Sequence, residues 1–163
     1  MNLLSKEDAA YIAGLIDGEG TVTLTRLHAA EGRRLVVSIS NNDLALLQFV
    51  QSAVGAGKIT SKRTVSERHA PSFTWQLTSR QALALLERVV SNLRTYKAQR
   101  ARLALDQYLA LTPRNGKYRP EGLIQRQAFE AAFLGLLPQP AQDKSMATSR
   151  VPAQCSPAGG RDE

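Results

Sequence analysis

Apolar and polar positions follow a helical pattern at the start of the chain and an alternating pattern after it. Over residues 6–16 the apolar residues recur at helical spacing, and Ser5 is a suitable N-cap. Gly18 and Gly20 are residues that commonly end a helix. The pattern therefore predicts a first helix that starts near Lys6 and ends in a glycine-rich turn.

Four segments then alternate between apolar and polar residues, which is typical of strands with one buried face. The predicted strands are 21–25, 34–40, 58–62 and 73–78. A turn around 29–32 joins the first two, and a loop over roughly 65–71 joins the last two. The pattern predicts two β-hairpins.

Helical patterns separate and follow these hairpins. Asn42-Asp43 caps a helix that carries apolar residues from 44 to 54, and Ser79 is expected to cap the helix that carries residues 82–89. Further helices are predicted at 96–111 and 123–137. The class is therefore α+β, with an αββαββα core, extra C-terminal helices and one four-stranded antiparallel sheet packed on helices. Residues 1–137 are expected to form one domain, and Pro-, Gln- and Ser-rich residues 138–163 a disordered tail.

Composition and charge narrow the function. The chain has 163 residues, a formal charge of +7 and a pI near 10.0, which suits a polyanionic partner. It has no apolar run that could span a membrane, no signal-peptide pattern and a single cysteine, Cys155, so an intracellular setting is expected. His28 and His69 lack partners at zinc-ligand spacing, which argues against a zinc nuclease.

Two features of the first predicted helix lower its stability, so folding does not explain them. Asp17 and Glu19 fall at its C-terminus, where the helix dipole repels an acid by about 0.3–1 kcal/mol. Ala10, Gly14 and Gly18 recur every four residues, and a glycine within a helix costs about 1 kcal/mol relative to alanine. The acids point to a metal or a mechanism, and the small stripe points to a second helix packed closely against it.

Residues 12–20, Ile-Ala-Gly-Leu-Ile-Asp-Gly-Glu-Gly, resemble the LAGLIDADG motif of homing endonucleases. Ile12 replaces the first leucine, Gly18 replaces an alanine, and Glu19 replaces the second aspartate. Together with the αββαββα order, the resemblance covers about residues 5–112. It implies a saddle-shaped sheet that lies along the major groove of DNA.

The resemblance also implies roles for particular residues. Glu19 and the Gly18 carbonyl would be ligands for Mg²⁺ or Mn²⁺ in phosphodiester hydrolysis. Lys97 matches a basic residue that lies near the scissile phosphate in single-motif members. Asn41 matches a polar residue that positions solvent, with Asn42 as a possible substitute.

The alternative for Lys97 is a solvated basic helix face, shared with Arg94, Arg100 and Arg102. For Asp17 the resemblance implies that it caps the partner helix or braces the turn.

The polar side of the predicted sheet carries no acid and is rich in side chains that bind bases and phosphates. Its alternative interpretation is an ordinary solvated sheet face. The residues predicted to bind DNA are Thr21, Thr23, Thr25, Arg34, Ser38, Ser40, Lys58, Thr60, Lys62, Thr74 and Gln76.

One copy of the motif brings one Glu19, whereas cutting both strands requires two such acids side by side. The sequence therefore predicts a homodimer that recognises a long pseudo-palindromic site in double-stranded DNA. The predicted interface consists of Ala10, Ala13, Gly14, Asp17 and Gly18.

The leading hypothesis is a homodimeric, sequence-specific DNA endonuclease of the homing type, in a bacterial cytoplasm or an organelle. The second is a catalytically impaired member that acts as an RNA maturase on host intron RNA or as a DNA-binding regulator. The third, a purely structural dimerisation protein, leaves the acids at the helix end unexplained.

Overall fold

A computed structural model describes residues 1–26, 32–61, 70–113 and 119–138. Lys62, His28, His69, Cys155 and the predicted tail beyond Pro138 lie outside these residues, as do most of the two predicted connections. The elements are α1 (Lys6–Glu19), β1 (Gly20–Thr25), β2 (Arg34–Asn41), α2 (Leu44–Val54), β3 (Lys58–Ser61), β4 (Phe73–Thr78), α3 (Ser79–Val89), α4 (Tyr96–Gln107) and α5 (Pro120–Gly135).

The strands form one antiparallel sheet in the order β1-β2-β4-β3. Each predicted hairpin is present, and the two inner strands β2 and β4 join the hairpins side by side. The helices cover the apolar face, so the predicted α+β architecture is confirmed. No helix in the described ranges is long and apolar enough to cross a membrane.

Side-chain caps explain where two of the helices begin. Ser5 accepts the N–H of Asp8 at 3.0 Å, and Asp43 accepts that of Ala45 at 2.9 Å, so both predicted caps are confirmed. The prediction that Ser79 caps α3 is wrong. Ser79 is the first residue of α3, with φ 52°, and makes no cap, because β4 runs directly into the helix and Thr78 takes the N-cap position.

The core lies between the apolar sheet face and the helices. Ile12 and Ile16 of α1 and Trp75 of β4 are fully buried. The Trp75 indole N–H donates to the Ala56 carbonyl at 3.1 Å, which satisfies its one polar atom. A Cβ on Gly57, whose φ is +99°, would lie 2.3 Å from the indole nitrogen, so only glycine fits at this turn.

The last two helices differ in extent from the sequence prediction. α4 ends at Gln107, and turns continue to Leu111, the predicted end. α5 spans Pro120–Gly135 rather than 123–137, because Pro120 suits the first helical turn. Phe129 and Phe133 of α5 join the core, so this helix covers part of it.

Candidate active site

Glu19 is the last residue of α1, and its carboxylate is exposed at the point where the helix meets the sheet. Asn41, the last residue of β2, donates its Nδ2–H to Glu19 Oε2 at 3.0 Å. The Asn41 Oδ1 accepts the Asp43 N–H at 2.8 Å, which fixes the amide with its NH₂ toward Glu19. The structure therefore brings together Glu19 and Asn41, whereas Asn42 is exposed to solvent.

Lys97 lies in the first turn of α4 and is only 7% exposed. Its Nζ donates to the carbonyls of Ile16 at 2.8 Å and Asp17 at 3.0 Å in the last turn of α1. The Ile16 carbonyl also accepts the Gly20 N–H that closes the helix. Desolvation lowers the pKa of Lys97, Asp17 opposes this shift, and Arg100 adds to it. Lys97 is therefore not part of a solvated basic face. It places a buried cation beside the turn that carries Glu19.

Asp17 holds the N-terminus of α4 in its own chain. Its Oδ2 accepts the Arg94 N–H at 2.6 Å, and its Oδ1 accepts the Thr95 hydroxyl at 2.6 Å and the Thr95 N–H at 3.4 Å. An acid is favourable at a helix N-terminus, which offsets its position at the unfavourable end of α1. Asp17 and Lys97 thus link α1 and α4 in both directions, each binding the end of the other helix.

The small stripe of α1 faces outward. Ala10, Gly14 and Gly18 are exposed, and a Cβ added at either glycine would meet nothing within 4 Å. Ala13 and Asp17 require a correction, because the Ala13 side chain is buried in its own core and Asp17 is engaged with its own α4. The exposed surface available to a partner is therefore narrower than the predicted interface.

Gly20, the last residue of the motif, has a different reason to be glycine. It is buried, and a Cβ there would lie 2.6 Å from the Ile16 Cα and 2.9 Å from its carbonyl oxygen. The chain turns so tightly from α1 into β1 that a side chain does not fit. This tight junction sets the position of Glu19 relative to the first residues of β1.

Apart from Lys62, which lies outside the described residues, the residues predicted to bind DNA occupy one face of the sheet. The strand register aligns them in rows, because side chains two positions apart share a face. One row across all four strands is Thr21, Ser38, Gln76 and Lys58, and another is Ser40, Thr74 and Thr60. Thr25 pairs with Arg34, Thr23 pairs with Val36, and Val36 pairs with Thr78.

This polar face is free of acids among the strand residues that the structure describes. On its outer strand β3, Lys58 and Thr60 are exposed, and they line a hollow of the surface together with Gln76. Ser40 and Thr74 share a hydrogen bond of 2.9 Å. Lysine and glutamine are side chains that hydrogen-bond base edges, so the face is chemically suited to reading a groove.

Sequence reasoning missed the buried basic residues behind the sheet. Arg100 is 7% exposed and donates to the carbonyls of Val22 and Leu136, both at 2.9 Å. Arg126 of α5 is 2% exposed and pairs with Glu130 at 3.1 Å. The signal was a pair of opposite charges four residues apart, close to the core positions Phe129 and Phe133.

Few groups near Glu19 could serve as ligands for a metal ion. In the described ranges no group of three or more His, Cys, Asp or Glu side chains gathers to hold a metal. The available ligands are one carboxylate and the Gly18 carbonyl. The last hydrogen bond of α1 runs from the Gly20 N–H to the Ile16 carbonyl, so the Gly18 carbonyl has no partner within the helix. Mg²⁺ commonly uses one or two carboxylates and keeps its remaining positions for waters and phosphate oxygens, so these hard oxygens fit it.

Comparison with known proteins identifies the family. A family model described as a LAGLIDADG-like domain matches residues 6–102, well over half of the chain. The chain therefore belongs to this family, and the interpretation of the motif is confirmed. No curated protein sequence matches the chain.

Solved structures share its fold. The homing endonuclease I-CvuI, in complex with its target in the presence of Ca, is 16% identical with a TM-score of 0.67, over 85% of this chain and 87% of that chain. The archaeal intron-encoded homing endonuclease I-Vdi141I, complexed with DNA, is 14% identical with a TM-score of 0.63, over 80% and 84%. The LAGLIDADG meganuclease I-CpaMI, bound to uncleaved DNA, is 20% identical with a TM-score of 0.60, over 76% of this chain and only 42% of that chain.

Proposed function

We propose that this protein is a sequence-specific endonuclease of double-stranded DNA that acts as a homodimer and requires a divalent metal. The observation that carries the proposal is the position of Glu19. It is an exposed carboxylate at the unfavourable end of a helix, oriented by Asn41. It adjoins a polar sheet face whose described strand residues include no acid. I-CvuI and I-Vdi141I, which share this fold, are homing endonucleases solved in complex with DNA, which agrees with the proposal.

Glu19 and the Gly18 carbonyl would hold the divalent metal, Mg²⁺ or Mn²⁺. When bound, such a cation neutralises charge on the phosphate and makes a water molecule more acidic. Asn41 orients the Glu19 carboxylate toward this task by holding one of its oxygens. Thr21, the next polar side chain along the chain, begins the face that would place the DNA.

Lys97 has a positioning role in this proposal, in addition to its charge. Two of its three N–H donors bind the carbonyl end of α1, so it fixes the turn that presents Glu19 and Gly18. One donor remains for water or a phosphate oxygen. A buried cation beside the scissile phosphate would stabilise the charge that develops there, because its field is weakly screened in a dry cleft.

The two-fold partner is proposed to be a second copy of the chain. Among the residues that the structure describes, none contacts the stripe of Ala10, Gly14 and Gly18 in a way that would require small side chains there. The exposed rings of Tyr11 and Phe49, which pack edge-to-face at 5.7 Å, lie next to it and would extend the contact. This chain covers only 42% of the I-CpaMI chain, which agrees with a functional unit made of two copies of this chain.

The decisive experiment is cleavage of a randomised double-stranded DNA library in Mg²⁺, with wild type compared with Glu19→Gln. The substitution keeps the size of the side chain and an acceptor for Asn41 while it removes the charge. We expect double-strand cuts at one long pseudo-palindromic site by wild type and none by the variant.

Binding without cutting by both proteins would overturn the endonuclease proposal. Specific binding of DNA would then indicate a regulator, and specific binding of intron RNA would indicate a maturase.

The dimer is tested by sedimentation of a Gly14→Leu variant. Since a Cβ at Gly14 would meet none of the residues that the structure describes, the single chain should fold and gain about 1 kcal/mol of helix propensity. We expect the sedimentation coefficient to fall to that of one chain. Gly122→Leu on α5, where a Cβ also meets nothing, is the matched control and should leave assembly unchanged.

A further inference from the structure

Thr95 is the N-cap of α4 and uses its hydroxyl in two hydrogen bonds. The Oγ1 accepts the Lys97 N–H at 3.3 Å, which caps the helix, and it donates to Asp17 Oδ1 at 2.6 Å. A hydroxyl has one donor and two acceptor positions, so both bonds can form at once. Thr95 therefore joins the beginning of α4 directly to the last turn of α1.

The start of α4 holds Asp17 by both its side chain and its main chain. The Thr95 hydroxyl and the Arg94 N–H donate to the carboxylate, and the Nζ of Lys97 donates to the main-chain carbonyl at 3.0 Å. Because Thr95 also accepts the Lys97 N–H, these contacts form a closed ring that begins and ends at Asp17. Two contacts on opposite sides of one residue restrict its movement more than one contact does.

The turn that follows Asp17 requires this restraint because glycines flank Glu19. Gly18 and Gly20 lack a Cβ, and glycine loses more backbone freedom on ordering than any other residue. Gly20 is fixed from its other side, since it is buried and its N–H donates to the Ile16 carbonyl. Glu19 thus lies between a residue held by α4 and a residue held at the α1–β1 junction.

We propose that Thr95 is a positioning residue for cleavage, because its hydroxyl fixes the turn that presents Glu19 and the Gly18 carbonyl. The inference rests on the proposed function, since it assigns one more residue to the same site. Thr95 acts through Asp17 and Lys97 rather than through contact with DNA. Its removal should therefore slow the chemical step and have little effect on how tightly the DNA binds.

The test compares Thr95→Val, which keeps the branched shape and removes the hydroxyl, with Thr95→Ser, which keeps the hydroxyl. On the site selected from the library, Thr95→Val should lower kcat about 10–100-fold with KM nearly unchanged, as loss of a group that orients metal ligands commonly does. Thr95→Ser should restore most of kcat. Asp17→Asn disrupts the same ring, so it should add little to the loss when combined with Thr95→Val.

Ser5→Ala is the matched control for loss of a helix cap. Ser5 caps α1 through the same kind of bond, 3.0 Å from its Oγ to the Asp8 N–H, and it lies at the end of α1 away from Glu19. Thr95→Val and Ser5→Ala each remove one cap, so they should lower stability comparably. Only Thr95→Val should lower kcat, measured well below the unfolding temperature of every variant.

Hydrogen exchange of the Gly20 amide gives a readout that does not require cleavage. This amide closes α1 on the Ile16 carbonyl, so its exchange reports opening of the turn. The amide of Val37, in an inner strand of the sheet, corrects for changes in global stability. Relative to Val37, exchange at Gly20 should become several-fold faster in Thr95→Val and stay unchanged in Ser5→Ala.

The outcomes separate the positioning role from the proposed function. Wild-type cleavage, with kcat and Gly20 exchange unchanged in Thr95→Val, would overturn the positioning role and leave the endonuclease proposal intact. An equal loss of kcat in Ser5→Ala would also overturn the role, because the effect would then follow stability alone. No cleavage by wild type would overturn the endonuclease proposal and, with it, the role in cleavage.

Discussion

Neutralising Asp17 is expected to destabilise the protein, whereas neutralising Glu19, at the same end of α1, is expected to stabilise it. Asp17 accepts hydrogen bonds from α4 through both oxygens, at 2.6 Å from the Arg94 N–H and at 2.6 Å from the Thr95 hydroxyl. An asparagine has one oxygen, so Asp17→Asn sets an NH₂ against a donor of α4 in either orientation of the amide. Glu19→Gln keeps an acceptor for Asn41 and loses only charge.

The magnitude follows from these contacts. One unsatisfied donor costs about 1–3 kcal/mol, and loss of the charge at the α4 N-terminus adds about 0.3–1 kcal/mol. We therefore expect Asp17→Asn to lower the free energy of unfolding by about 1.3–4 kcal/mol. Glu19→Gln removes an acid from the negative end of α1 and is expected to raise it by about 0.3–1 kcal/mol.

Urea unfolding followed by circular dichroism measures both values. Both variants must be compared with wild type at one protein concentration, because the stability of a dimer depends on concentration. The linear dependence on urea should have the same slope in all three proteins. A loss of less than about 0.5 kcal/mol in Asp17→Asn would refute the argument that this acid holds α4.

Three further results are expected. Burial lowers the folded pKa of Lys97 below its ordinary value of 10.5, so the unfolded chain binds more protons in the window between the two values. In that pH window the free energy of unfolding of wild type should therefore rise with pH. A Lys97→Met variant, which has no amine to titrate at this position, should lack this rise. Asn41→Ala should slow cleavage about 10–100-fold with little change in DNA affinity, as loss of a partner that orients a metal ligand commonly does. Gly57→Ala should destabilise the protein by at least about 1–2 kcal/mol in urea unfolding, since φ is +99° and the added Cβ meets Trp75; an unchanged midpoint would contradict the packing described.

Local patterns were sufficient to predict the elements and the polar sheet face. The period of two placed Thr21, Ser38 and Gln76 on one side, and the register of the strands puts these three residues in one row. The caps Ser5 and Asp43 were predictable for the same reason, since a cap acts within three residues of its position.

Long-range pairings were not predictable from these patterns. Asp17 binds Thr95, 78 positions away, and nothing local distinguishes an acid that caps another helix from one that binds metal. The burial of Lys97 and Arg126 was missed because charged residues in a helix usually face solvent. Ser79 suited a cap, but the direct junction of β4 and α3 required a positive φ at that position instead.

Each strand of the sheet packs the core with one set of alternating side chains and forms the polar surface with the other set. Val37 and Ile39 are packed in the core, whereas the intervening Ser38 and Ser40 lie on the polar face. Under the proposed function, a substitution at Ser38 or Ser40 would alter DNA recognition without opening a cavity in the core. The proposal therefore implies that target preference could change, or be redesigned, one polar position at a time while the turn that carries Glu19 stays the same.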